Sequence, residues 1–248
     1  MSRSTPAKPA GIVGTVTIRA LRWEPDGGER RQSYAVTAGR DTTVLDALVE
    51  IQRTQDHSLG FRYACRVGMC GSCAMVVNGR ERWACRTRLA ALRAAVVDVR
   101  PLYHFPVLRD LIVDMSAFHD KLRGVAGALM PKAGDPAYAH IAGDGPERRQ
   151  IDEAIECIGC GMCVSACTVV ARAPRFPGPA ALNRAFTLQR DRRDAAVETR
   201  WSVLLSDDAL ARCHGQGNCT AVCPMNLAPS TSIAHLRRLG VRQLLGRP

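Results

Sequence analysis

The chain has 248 residues, 46% hydrophobic and 23% charged, enough for two ordinary domains each with a sizeable core. No stretch approaches the roughly 20 apolar residues of a membrane span, and the first residues, Met1 to Pro9, lack the apolar run of a secretory signal and read as a short tail. The formal charge of +11 suits a solvated basic surface, or docking on an acidic protein or an anionic membrane, whereas only 5% aromatic residues and no basic run interleaved with them disfavour nucleic acid. The chain is expected to be soluble by itself and to stay in the cytoplasm.

Residues 12–114 read as a small mixed α/β domain. Thr15–Arg22 and Arg31–Val36 alternate like two strands of a hairpin around the turn Pro25-Asp26-Gly27-Gly28. Asp41 is the expected N-cap of a helix that puts Val44, Leu48 and Ile51 on one face. Ala74–Val77 and Arg82–Cys85 flank Asn78-Gly79, a strong type I′ hairpin signal. Strand, strand, helix, strand, strand is the order of a β-grasp, plant-type ferredoxin domain. Residues 115–248 show no strand alternation and are expected to form an all-α domain like a bacterial ferredoxin, giving an α+β chain. Asp152–Glu156, Pro179–Gln189, Asp207–Arg212 and Ile233–Leu239 read as helical, separated by Pro- and Gly-rich segments around Pro131–Pro146 and Pro174–Pro179. With few apolar residues around its cysteines, this half is expected to depend on metal clusters for cohesion.

Eleven cysteines, an odd number in a chain without a secretory signal, argue for metal binding over a disulfide framework. They fall into three tight groups. Cys65-x4-Cys70-x2-Cys73, followed by Cys85, has plant-type [2Fe–2S] spacing. Soft, anionic thiolates are the ligands such clusters need, and Gly68 and Gly71 let the loop turn its N–H groups toward the sulfurs. A four-cysteine zinc site fits less well, because it usually shows paired CxxC halves about 15–20 residues apart.

Cys157-x2-Cys160-x2-Cys163-x3-Cys167 is a bacterial ferredoxin run, in which the fourth cysteine ligates the other cluster. The same template fits the third group: Cys213 first, Gln216 second, Cys219 third and Cys223 fourth, followed by Pro224. Crossing the fourth ligands gives Cys157, Cys160, Cys163 and Cys223 for a [4Fe–4S] cluster. It leaves Cys167, Cys213 and Cys219 for a [3Fe–4S] cluster, with Gln216 where a fourth ligand would stand. Sets of four, four and three use all eleven cysteines. One mismatch is that Thr168, not Pro, follows Cys167.

With these sites placed, the chain resembles the iron–sulfur subunits of succinate dehydrogenases and fumarate reductases from about residue 12 to residue 240. The segment from Arg62 through Cys65-Arg66-Val67-Gly68-Met69-Cys70-Gly71-Ser72-Cys73 to Met75 is similar to that family's first loop, with Val67 where Glu is usual. Similar too are the joining segment Pro101–Leu111, the stretch Phe176–Leu182, and Cys213-His214-Gly215-Gln216-Gly217-Asn218-Cys219 through Pro224. The resemblance implies a membrane complex in which a flavoprotein subunit oxidises succinate at FAD. Electrons would then pass through the three clusters to a quinone at transmembrane anchor subunits, with or without haem. This chain would hold neither FAD nor succinate, would lie peripherally on the cytoplasmic side of the cell membrane, and would meet no nucleic acid. Relatives that reduce ubiquinone commonly carry Trp just after the residue matching Cys167; Thr168 to Pro177 has none, which favours menaquinone.

Among single residues, His214 is the candidate for a hydrogen bond to the quinone or the cluster, against a role that only supports its loop. His104, between Tyr103 and Phe105, reads as structural, Trp201 reads as core, and His57, His119, His140 and His235 carry no assigned role. Competing functions are the same subunit in a fumarate reductase, a free-standing polyferredoxin, and a zinc-stabilised nucleic-acid binder.

Overall fold

The computed structural model describes residues 12–24, 28–134 and 143–246. The expected tail Met1–Pro9, residues 25–27 of the first turn and His140 lie outside them. The chain divides into two compact units, one of residues 1–101 and 107–113, the other of residues 102–106 and 114–248.

In the first unit, β1 (Ile12–Glu24) and β2 (Gly28–Gly39) form an antiparallel hairpin longer than its alternating core suggests. Along β2 burial alternates from Tyr34 to Ala38, the period of a strand with one wet face. Helix α1 (Val44–Thr54) lays Leu45, Leu48 and Ile51 on the other face. Its N-cap is Thr43, not Asp41. The Thr43 hydroxyl accepts from Asp46 N at 3.1 Å while Asp46 accepts from Thr43 N at 3.0 Å. Asp41 pairs with Arg88 instead. Such a reciprocal cap satisfies two donors that a single cap leaves open, and removing the cap typically costs about 1 kcal/mol.

β3 (Ala74–Val77) and β4 (Arg80–Trp83) meet across Asn78-Gly79, whose φ values of 48° and 75° make the I′ turn. A 3₁₀ turn, Ala84–Arg86, and the short α2 (Leu89–Leu92) lead to β5 (Val96–Arg100). β5, which the alternation does not reveal, inserts parallel to β1 and antiparallel to β3, giving the order β2-β1-β5-β3-β4. A small hairpin of β6 (Val107–Arg109) and β7 (Ile112–Val113) completes the unit. Its turn contributes Asp110, fully buried against the fully buried Arg22 at 2.8 Å. Arg22 also donates to Tyr34, Asp56, Gln32 and Ser58. Burial and the Asp56 carboxylate push the Tyr34 hydroxyl up to about 12, and the Ser58 and Tyr34 hydroxyls hold Asp56 well below the usual carboxylate range.

The second unit is built from α3 (Ser116–Gly124), α4 (Pro146–Ile155), α5 (Met162–Ser165), α6 (Thr168–Arg172), α7 (Pro179–Gln189), α8 (Val197–Leu204), α9 (Asn218–Ala221) and α10 (Pro229–Leu244). Among its described residues the single β-bridge is Pro131 to Asp194. The helix expected at Ile233–Leu239 runs over 16 residues, and Asp207–Arg212 reduces to the 3₁₀ turn Leu210–Arg212. Pro at the first position starts α4, α7 and α10, where its missing N–H costs nothing. α7 is buried almost all round and packs against α10, α4, α3, α5 and α8. Ala180, Ala181 and Ala185 let neighbours approach closely, and buried Asn183 donates to Ala154 O and accepts from Ser232 Oγ, tying α4, α7 and α10. Phe176, Leu182, Phe186, Trp201 and Leu236 add an apolar core to the cysteine sites of this unit. A second fully buried pair, Arg200 with Asp194, fastens α8.

Candidate metal centres

The first group sits at one end of the β3–β4 hairpin. Cys73 directly precedes β3 and Cys85 follows β4; Ala84 N donates to Cys73 O at 3.1 Å, so the two are held side by side and buried. Cys65 and Cys70 lie on the loop before β3, where Cys65 Sγ accepts from Met69 N at 3.3 Å and Cys70 N at 3.4 Å. Amides aimed at sulfur stabilise a thiolate there. Gly68 has φ 77°, and a Cβ on it would lie 2.9 Å from the Arg86 side chain and 3.0 Å from the Trp83 ring, so a side chain is excluded twice over. The Ser72 side chain and nearby amides draw the Cys70 thiol down to about 6, whereas burial pushes Cys73 up to about 12.

The second and third groups repeat one backbone. Gly159 and Gly161 have φ 65° and 79°; Gly215 and Gly217 have 70° and 79°. Gly161 O accepts from Val164 N and Ser165 N at 3.0 Å, and Gly217 O accepts from Thr220 N and Ala221 N at 3.0 Å. Cys167 N to Val164 O is matched by Cys223 N to Thr220 O. Gln216 therefore holds the backbone position of Cys160.

The fourth cysteines cross over. One cavity, an empty space of about 400 Å³ with its mouth, is lined by Cys157, Cys160, Cys163 and Cys223. Another, also of about 400 Å³, is lined by Cys167, Cys213 and Cys219 together with His214, Gln216 and Thr168. Burial pushes Cys160 up to about 11, carries Cys163 well above its ordinary value, and raises Cys157 and Cys219. Such thiols become thiolates only when a cation compensates the lost hydration. Among the described residues no three His, Cys, Asp or Glu side chains converge on a point that would hold one metal ion. The thiols of the second and third groups line the two cavities.

Several neighbours of these sites carry no signature in the sequence. Thr168 Oγ1 donates to Gln216 Oε1 at 2.6 Å, joining the residue after Cys167 to the position that lacks a thiol. Asn218 Nδ2 donates to Ala166 O at 3.3 Å, and Arg237 from α10 donates to the carbonyls of Leu210 and Cys213. Lys121 of α3 has its pKa lowered by burial, opposed by the Cys167 thiol. His214 is exposed at the rim of the third site. Among the described residues no helix is long and apolar enough to cross a membrane.

A family described as 2Fe-2S iron-sulfur cluster binding domain matches residues 17–120, and one described as 4Fe-4S dicluster domain matches residues 153–227. The chain is 34% identical to the succinate dehydrogenase iron-sulfur subunit of Paracoccus denitrificans, over 96% of this chain and 93% of that one. It is 37% identical to the fumarate reductase iron-sulfur subunit of Mycobacterium tuberculosis, over 90% and 91%. Among solved structures, a chain of the Mycobacterium smegmatis Sdh1 complex in the apo form superposes with a TM-score of 0.84 at 28% identity, over 93% of this chain and 97% of that one.

Proposed function

Given that the chain belongs to the family of iron–sulfur subunits of succinate dehydrogenase and fumarate reductase, we propose that it relays electrons between the FAD of a flavoprotein subunit and a membrane quinone, menaquinone in kind. Cys65, Cys70, Cys73 and Cys85 would hold a [2Fe–2S] cluster, Cys157, Cys160, Cys163 and Cys223 a [4Fe–4S] cluster, and Cys167, Cys213 and Cys219 a [3Fe–4S] cluster. The reading rests on the crossed grouping of thiols, with Cys223 in the cavity of the second group and Cys167 in that of the third. When bound, such clusters are one-electron carriers whose potentials follow cluster type, hydrogen bonding and burial.

The protein's own contribution is to hold the thiols and shape their surroundings. Amides of Met69 and Cys70 reach Cys65 Sγ, favouring the charged ligand. His214, Gln216 and Thr168 give the third site a polar, exposed rim suited to hydrogen-bonding a quinone oxygen. The five-stranded sheet with α1 supports a β-grasp ferredoxin domain over residues 12–114. The duplicated loops support an all-α, bacterial ferredoxin-like domain over residues 115–248. The partners proposed are the flavoprotein and one or more transmembrane anchors, with the chain peripheral on the cytoplasmic face. A fumarate reductase uses the same arrangement, and the M. tuberculosis relative's name supports that direction equally.

Metal analysis of anaerobically purified complex tests the assignment. Iron should approach about nine per chain, from sites of two, four and three irons, with three distinct species by electron paramagnetic resonance. Stoichiometric zinc, or a single cluster type, would refute it.

A further inference from the structure

We propose that a cleft between α4, α7 and α10 binds the phosphate of an anionic phospholipid headgroup. The cleft encloses about 570 Å³ with its mouth and lies away from the cysteines. Arg190, Arg238, Arg242 and His235 line it, Phe186 supplies an apolar wall and Gln150 a polar edge; among the described residues no acidic side chain lines it. His235 stands edge-on to Phe186, ring centroids 5.6 Å apart, which orients the imidazole.

Several other arginines of the same unit are committed to partners. Arg184, Arg193, Arg200 and Arg237 all donate to a carboxylate or a carbonyl. Arg190, Arg238 and Arg242 have no ion pair among the described residues; Arg190 Nε is buried without a hydrogen-bond partner, a state it shares with Arg200 Nε, although Arg200 also pairs with Asp194. Helix dipoles account for part of the cluster, because Arg190 caps the C-terminus of α7 and Arg242 lies in the last turn of α10. They do not account for Arg238, in the interior of α10, or for the convergence of all three on one space. Guanidinium forks suit the tetrahedral oxygens of a phosphate.

A lipid is favoured over a free phosphate by what adjoins the cleft. Val241, Leu244 and Leu245, on the last turn of the same helix, are 56%, 72% and 65% exposed. Arg238, Val241, Arg242 and Leu245 stand at i, i+3, i+4 and i+7, so the cations and the apolar side chains share one helix face. Cations beside exposed aliphatic groups are the pattern of a helix seated at a membrane interface. The membrane placement rests on the reading of this chain as a peripheral subunit, whereas the anion site stands on its own residues.

The test sediments the full, cluster-loaded chain with vesicles of phosphatidylcholine alone or mixed with phosphatidylglycerol. It compares wild type, the triple variant Arg190→Gln/Arg238→Gln/Arg242→Gln, and a charge-matched triple at exposed positions of the first unit, Arg40→Gln/Arg53→Gln/Arg93→Gln. Wild type should bind the phosphatidylglycerol vesicles selectively. The cleft triple should bind them less tightly by about fivefold for each arginine removed, and the control triple should keep most of its affinity. Arg242→Glu, a single change at an exposed position, should show the same direction if the triple folds poorly. Equal losses in both triples, or equal binding to pure phosphatidylcholine, overturn the proposal. So does a site that binds inorganic phosphate with no preference for phosphatidylglycerol vesicles, or a cleft triple that loses an acidic partner subunit while keeping its vesicle binding. Visible absorption reports cluster content separately, so failure of the iron–sulfur reading is distinguishable from failure of the anion site.

Discussion

Truncating Asp110 tests how the first unit holds the approach to its cysteine loop. Asp110 Oδ1 accepts from Arg22 Nε at 2.8 Å and from Trp23 N at 3.0 Å, and Oδ2 accepts from Gly60 N at 2.7 Å. Asp110→Ala therefore removes one of the two carboxylates paired with a fully buried guanidinium, leaving Asp56, and leaves two amides short of an acceptor. Removing one partner of a buried pair costs about 3–5 kcal/mol when the remaining charge is left uncompensated; with Asp56 still paired to Arg22, the main loss is the two stranded amides, about 1–3 kcal/mol each where water does not reach them. Against a total stability of about 5–15 kcal/mol, even the lower figure is a large share.

Asp110→Asn keeps an acceptor for Arg22 and Trp23 but turns an amide N–H₂ toward Gly60 N, so it should fall between wild type and Ala. Urea denaturation of the full chain reads the loss, and hydrogen exchange of residues 56–65 and β1 localises it. Because Gly60 is tied to Asp110 only five residues before Cys65, absorption of the first cluster should disappear at lower urea than that of the others. The reasoning fails if Asp110→Ala stays within about 1 kcal/mol of wild type with unchanged protection. In that case Asp56, Tyr34, Ser58 and Gln32 satisfy Arg22 without its buried partner.

Two further outcomes follow from the duplicated loop. Gln216 stands at the backbone position of Cys160 and lines the third cavity, so Gln216→Cys should let that site take a fourth iron, with a lower potential. The paramagnetic signal of an oxidised [3Fe–4S] cluster should vanish and quinone activity fall while flavin reduction by succinate survives; an unchanged signal and activity would contradict the alignment of the two copies. Gly161→Ala and Gly217→Ala both force Ala to φ 79°, costing about 1–2 kcal/mol. Only at Gly161 would the new Cβ meet neighbours, Phe105 at 3.1 Å and Met115 at 3.3 Å, so thermal melts should rank Gly161→Ala lower, and equal melting temperatures would show that the packing around Gly161 yields freely.

The grouping of the cysteines was legible because their spacings are short and survive in one dimension. Gln216 in place of a cysteine could be seen for the same reason, as a gap in a repeated pattern. Local chemistry was legible as well: Asn78-Gly79 demanded positive φ at both positions, and Pro179 opened α7. Asp41 failed as the cap because Thr43 with Asp46 three residues on satisfies two donors. α3 and α8 passed unrecognised, since α3 buries only Phe118 among its side chains and leaves little apolar periodicity to read.

What the sequence determined by itself was the three tight groups of cysteines and the alternation of the first hairpin, because both depend on neighbours a few residues apart. Only the tertiary structure decided which distant groups meet. Arg22 and Asp110 are 88 residues apart, β5 pairs in parallel with β1, and Thr168 finds Gln216 across 48 residues. Arg190 joins Arg238 and Arg242 only because α7 packs along α10. A charge in the sequence carries no mark of its burial or its partner. Those arise when packed helices and strands bring remote segments together, and there desolvation makes each pairing, or its absence, energetically decisive.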